Sequence, residues 1–214
     1  MQNSFDLLKS LKAKNLLDSC KDPLWWNNSG TFEIVVGAIL AQNTKWENVE
    51  FSLQKLKELR LLDLEAIAKC DLESIQSCII KSGFFRQKAY RIQKISQNIL
   101  NNFSNFENFR ENVSREWLLN QKGIGKESAD SILNYCCFRE IMVVDKYTAR
   151  LLSSYGFEFY EYDDIASWLM QGIIDEYDKV ISLYGHKIEL YKVYARFHAK
   201  IVEYSKIYKI KSKY

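Results

Sequence analysis

The backbone of this chain carries almost no punctuation: one proline, Pro23, and eight glycines in 214 residues. Its apolar residues recur at intervals of three and four rather than two, the period of an amphipathic helix. An all-α fold is predicted, with helices over 4–17, 31–42, 46–59, 85–103, 116–120, 126–138, 146–155, 165–177 and 187–208. The helical pattern halts at Ser82-Gly83 and restarts at Phe84-Phe85-Arg86-Gln87-Lys88, and no long polar linker or repeat divides the chain. The expectation is one compact unit of two packed helical lobes with a cleft between them. A central lobe takes about 30–137, and a second is built from both termini, about 1–29 plus 138–214.

Several functional classes fall away at once. Hydrophobic residues at 47% and charged residues at 27% describe a folded chain, not a disordered one. A net charge of +3 is too small to establish a nucleic-acid partner. Lys206, Lys209, Lys211 and Lys213 crowd the last ten residues without an acid, as a solvated tail or a neighbour of phosphates. Cys20, Cys70, Cys78, Cys136 and Cys137 form no CxxC pair, which argues against both a zinc site and a disulfide scaffold. With only His186 and His198 in the chain, no metal site is expected, and both histidines are read as structural. No stretch has the apolar length of a membrane span or the layout of a signal peptide, so the cytoplasm is the expected compartment.

Chemistry enters at Gln121-Lys122-Gly123-Ile124-Gly125-Lys126-Glu127-Ser128. This reads as a helix end, a turn with two glycines around one apolar residue, and a new helix. The glycines permit otherwise closed backbone angles and a close approach, and Ile124 would plug the turn into the core. Free N–H groups at the new helix start, with Lys122 and Lys126 beside them, suit a phosphate. An ordinary helix connection has the same outline. Some twenty residues on, Ile141-Met142-Val143-Val144 ends in Asp145 at another helix start. That residue is an N-cap by position, and the helix dipole favours its ionised form.

Together these segments resemble the endonuclease III superfamily of DNA repair glycosylases, whose signature is a helix-hairpin-helix followed by a loop ending in a catalytic aspartate. Gly123-Ile124-Gly125 matches the hairpin, Val144-Asp145 the aspartate, and Ile39-Leu40-Ala41-Gln42-Asn43-Thr44 an early Leu-x-Ala-Gln stretch. The resemblance implies that Asp145 faces a developing sugar cation and that Gln42, with Asn43 beside it, approaches the space left by a flipped nucleotide. Members that also cleave the backbone carry a lysine nucleophile two residues after the second hairpin glycine. Glu127 stands there instead, with readings as a dipole-favoured acid, a pocket acid that positions water, or both. A monofunctional glycosylase without lyase activity follows. Many relatives hold an iron–sulfur cluster with four cysteines near the C-terminus; this chain has none after Cys137, so no cluster is expected.

Within the superfamily the chain is most similar to the bacterial 3-methyladenine DNA glycosylase III group, through Trp25-Trp26, Gln42-Asn43-Thr44-Lys45 before an aromatic, the hairpin, Val143-Val144-Asp145-Lys146-Tyr147 and Ala195-Arg196-Phe197-His198. Asn27 departs from it, where a proline is expected. The resemblance implies removal of 3-methyladenine, a cationic base that leaves readily. Trp25, Trp26 and Trp46 are candidate pocket walls, since aromatic faces attract cations, and otherwise core residues. Lys200 falls on the apolar stripe Val193, Phe197, Tyr204, Ile207, so it either snorkels or places its amine at the base pocket, where carbon dioxide could convert it to a carbamate. A monovalent cation at the hairpin is admitted when DNA is bound. The expected partner is duplex DNA with alkylated bases, met by a monomer associated with the nucleoid. An endonuclease III-like lyase for oxidised pyrimidines and a non-catalytic DNA-binding module remain alternatives.

Overall fold

The computed structural model describes residues 2–18, 20 and 23–211; Lys213 lies outside them. Thirteen α-helices and no strand occur among the described residues. They are α1 (Ser4–Lys12), α2 (Phe32–Leu40), α3 (Trp46–Glu58), α4 (Leu64–Lys69), α5 (Leu72–Ile79), α6 (Phe85–Phe103), α7 (Phe106–Asn112), α8 (Arg115–Leu119), α9 (Lys126–Ser131), α10 (Lys146–Ser154), α11 (Tyr162–Asp175), α12 (Tyr177–Tyr184) and α13 (Leu190–Ile207). The chain divides into two compact units, Asn28–Cys137 and Met1–Asn27 with Phe138–Tyr214.

In the Asn28–Cys137 unit, α2 is the central helix, because Phe-Glu-Ile-Val-Val-Gly-Ala-Ile-Leu offers apolar surface on every side and all but Glu33 are buried. The 19-residue α6 is amphipathic and buries Lys88, Ala89, Ile92, Ile95, Ser96 and Ile99. Its Gln93 and Gln97 amides donate to Cys70 O at 2.6 Å and Ala68 O at 3.1 Å, satisfying carbonyls at the end of α4. Phe103, Phe106, Phe109 and Trp117 pack with ring centroids 5.0–5.9 Å apart and join α6, α7 and α8. The predicted helix 126–138 is instead α9 followed by a π-helical turn, Ile132–Cys136, closed by Cys137 N–H donating to Ile132 O at 3.1 Å.

The second unit packs α1, α10, α11, α12 and α13 around Leu7, Leu8, Leu11, Met142, Leu151, Leu169, Val180, Val193, Phe197 and Ile201. α1 and α11 approach closely at Gly172, where a Cβ would meet Ser4 N at 2.8 Å, and the Ser4 hydroxyl donates to Leu169 O at 2.7 Å. α12 ends on Gly185 at φ +77°, a left-handed cap.

Candidate active site

Asp145 ends a buried segment, Met142-Val143-Val144, whose Val144 N–H donates to the Tyr162 hydroxyl at 3.2 Å. Its backbone is extended, so it sits at the N-cap of α10, and Oδ1 accepts from Thr148 N at 2.8 Å and Thr148 Oγ1 at 3.0 Å. The other carboxylate oxygen lies 3.6 Å from His198 Nε2. Burial pushes the carboxyl up, but the His198 ring and the Thr148 bonds outweigh it and hold the group below the ordinary carboxylate range. Asp145 is therefore an anion at neutral pH, capping a helix and still offering an oxygen toward His198.

His198, expected to have a structural role, is buried. It projects from α13 to Asp145, and the Trp25 ring meets it edge-on with centroids 5.8 Å apart. Trp25 is held at φ +80°, a strained angle for a bulky residue that costs on the order of 1–3 kcal/mol. α13 fixes its indole: Nε1–H donates to Glu203 Oε1 at 3.2 Å, and Lys206 Nζ stands 5.6 Å from the ring centroid. Trp26 is buried. Arg196 Nη1 donates to Pro23 O at 2.7 Å, tying the start of this turn to the same helix.

Lys200 does not snorkel; it is 3% exposed. Its Nζ donates to Arg196 O at 3.4 Å and lies 5.9 Å from the Tyr184 ring centroid. Burial, then the cations of Arg196 and Lys12, bring its amine down to about 7. The cavity it lines, about 340 Å³, is bounded by Lys12, Asn15, Tyr184, Lys192 and Arg196 among others, and not by the tryptophans.

The hairpin belongs to the Asn28–Cys137 unit. Only Gly123 requires glycine for its backbone, at φ +82°, and a Cβ there would collide with the Arg91 side chain. Gly125 is extended at the N-cap of α9 with open space where a Cβ would stand. Ile124 is buried, Lys122 and Glu127 are exposed, and Lys126 is half-buried. Gln121 is pinned by Asn98, whose Nδ2 donates to Oε1 at 2.7 Å. The Gln42 amide faces this turn: Nε2 donates to Gly123 O at 2.9 Å and Ser128 Oγ at 3.0 Å, while Oε1 accepts from Arg91 Nη1 at 3.0 Å. Asn43 is exposed at φ +52°, and Trp46 is half-buried at the start of α3.

Phe84 is a feature the sequence reading passes over. It is 70% exposed at φ +45°, next to Gly83 at φ +67°. The break at Ser82-Gly83 was the available signal. Among the described residues no group of three or more histidine, cysteine or acidic side chains could hold a metal, and Cys136 and Cys137 are adjacent and buried. No described helix is long and apolar enough to cross a membrane.

Comparison with known proteins matches residues 36–173 to the description "HhH-GPD superfamily base excision DNA repair protein". The chain is similar to the H. pylori 3-methyladenine DNA glycosylase, solved bound to 1,N6-ethenoadenine, with 44% identity, a TM-score of 0.93, and 96% of this chain and 98% of that one covered. A Methanocaldococcus jannaschii protein assigned as a DNA repair glycosylase is 35% identical over 96% of this chain and 90% of its own length. An endonuclease III–DNA complex shares the fold at 16% identity and a TM-score of 0.72, over 96% of this chain and 87% of that one.

Proposed function

The chain belongs to the HhH-GPD superfamily of base excision DNA repair proteins, and from that premise we propose that it is a monofunctional DNA glycosylase that excises alkylated purines, 3-methyladenine foremost. DNA glycosylase activity on damaged bases, with DNA held by the helix-hairpin-helix, is common to the superfamily. The observation that carries the finer reading is Glu127, exposed in the first turn of α9 where backbone-cleaving members carry their lysine, together with Asp145 kept ionised beside His198.

A 3-methylated adenine is already cationic, so the bond from C1′ to N9 breaks with its electron pair passing to the base, which leaves neutral. The sugar cation that develops is what the Asp145 anion stabilises in a water-poor site. Water then adds to C1′ and releases a proton. The substrate base is held by its cationic π-face, for which Trp25 and Trp26 supply indole partners; Trp46 and Glu127 are assigned to base contact and water placement. Glu127 in place of the lyase lysine argues for hydrolysis alone. The likeness to the H. pylori enzyme supports the alkylpurine choice. Lys122, Gly123, Ile124, Gly125 and Lys126 take a phosphate, and the protein acts as a monomer.

Base release from methylated duplex DNA, with chromatographic identification of the freed base, tests the reading. The wild type is expected to release 3-methyladenine, and Asp145→Asn to lose at least about 100-fold in rate while still binding abasic DNA. Release of no base would leave a binding module; release of oxidised pyrimidines alone would point to an endonuclease III-like enzyme.

A further inference from the structure

A fully buried lysine in the unit that carries the hairpin is used by nothing above. Lys88, on the first turn of α6, is 1% exposed, and all three of its ammonium protons are taken: Leu40 O at 2.8 Å, Thr44 Oγ1 at 2.6 Å and Ser82 O at 2.7 Å. Leu40 is the last residue of α2, so the ammonium satisfies a terminal carbonyl at the negative end of that helix. Ser82 is the last residue of the 3-10 turn that leads into Gly83 and Phe84, and Thr44 Oγ1 also donates to its carbonyl. One buried cation thus ties the turn 41–44 to the loop 82–84.

Arg91 lies three residues further along α6, on the same face. Its guanidinium donates to Gln42 Oε1 and lies against Gly123, in the space a Cβ would need. Gln42 passes the connection on to the hairpin through Gly123 O and Ser128 Oγ. Two cations one turn apart on one helix repel, and burial with the Arg91 charge brings Lys88 down to about 8. An apolar side chain at 88 would take the ammonium from the Leu40 carbonyl at the end of α2 and from Thr44 Oγ1, and leave Ser82 O only the Thr44 hydroxyl.

We propose that Lys88 and Arg91 are positioning residues for DNA engagement, locking the turn 41–44, the loop 82–84 and the glycine hairpin into one register so that they meet DNA as a single rigid surface. The inference rests on the reading of these segments as DNA contacts. It also gives Gln42 a second role, since its amide is spent inside the protein and braces the hairpin before any nucleotide is flipped.

The test is a double-mutant cycle of Arg91→Met with Gln42→Ala, read as affinity for a duplex bearing a tetrahydrofuran abasic analogue. Each single variant is expected to raise Kd about tenfold, and the double variant no more than about twofold beyond the worse single one. Single-turnover base release by Arg91→Met at saturating DNA should stay within about twofold of wild type, a split that general destabilisation would not produce. Lys88→Met is paired with Gln42→Ala in the same way; if it does not fold, Thr44→Val, which removes the shared hydroxyl, takes its place. Additive effects, or a lower Tm with unchanged Kd, overturn the inference alone. A wild type that binds no duplex overturns the functional reading and the inference with it.

Discussion

Lys200 sits in an environment far from the one a lysine ordinarily occupies. Its amine is brought down to about 7 by burial and by Arg196 and Lys12, so near neutral pH much of it is uncharged and nucleophilic. Attack of that nitrogen on carbon dioxide, with loss of one proton to solvent, yields a carbamate anion facing two cations. Incubation with 13C-bicarbonate at pH 8 is expected to give a carbamate carbon resonance that Lys200→Met abolishes; a wild type without it removes the carbamate. In the unmodified protein the folded state binds fewer protons than the unfolded chain between about pH 7 and the ordinary lysine value of 10.5. The contribution of this group to stability therefore rises with pH across that window. The oddity of Lys200 was legible because a lysine breaks an apolar stripe. The pairing of His198 with Asp145 was not, because it depends on α13 reaching the start of α10, which no local pattern encodes. Likewise both hairpin glycines stood out in sequence, yet only the fold shows that Gly123 alone has a left-handed backbone and an arginine against it.

At the level of elements, the hairpin is set by the two helices that flank it, and these are clamped by one ion pair. Arg115 of α8 donates from Nε to Asp130 Oδ1 at 2.7 Å and from Nη2 to Oδ2 at 3.0 Å. Asp130 is 1% exposed while the Arg115 side chain keeps 31%, so removing the arginine strands a buried acid. Arg115→Met is expected to cost about 3 kcal/mol and to lower Tm by roughly 6–12 °C in calorimetry. Pairing it with Asp130→Leu should restore much of the loss, because an apolar pair needs no desolvation of charge. An unchanged Tm in the single variant would mean that the clamp holds nothing. The longer helices α3, α6, α10 and α13 were legible to within a few residues from apolar spacing. α4, α5, α7 and α12 were missed, since six to eight residues hold too few repeats of a 3.6-residue period. For three of them the signal lay in the caps: Asp63, Asp71 and Asn105 each accept from the backbone three residues on. The π turn after α9 leaves no trace in the pattern, because one extra residue in a buried apolar run changes nothing that spacing can register.

For the molecule as a whole, the choice between hydrolysis and lyase chemistry comes down to where a neutral amine can be found. A lyase needs a lysine nitrogen with a free electron pair at the sugar. The position that supplies it in backbone-cleaving relatives is Glu127 here, exposed in the first turn of α9. Among the described residues two lysines, Lys88 and Lys200, have amines held below their usual range, and neither is suited. Lys88 has committed its three protons to Leu40, Thr44 and Ser82 inside the fold. Lys200 faces a cavity bounded by Lys12, Tyr184 and Arg196, and a carbamate would take its electron pair out of reach. Incubation with methylated DNA and sodium borohydride is therefore expected to trap no covalent adduct, and strand scission should appear only after alkali is added to the abasic product. A trapped adduct would overturn the monofunctional reading. Its disappearance in Lys200→Met, but not in Lys126→Met, would then identify the buried amine of α13 as the nucleophile and the hairpin lysine as a phosphate contact.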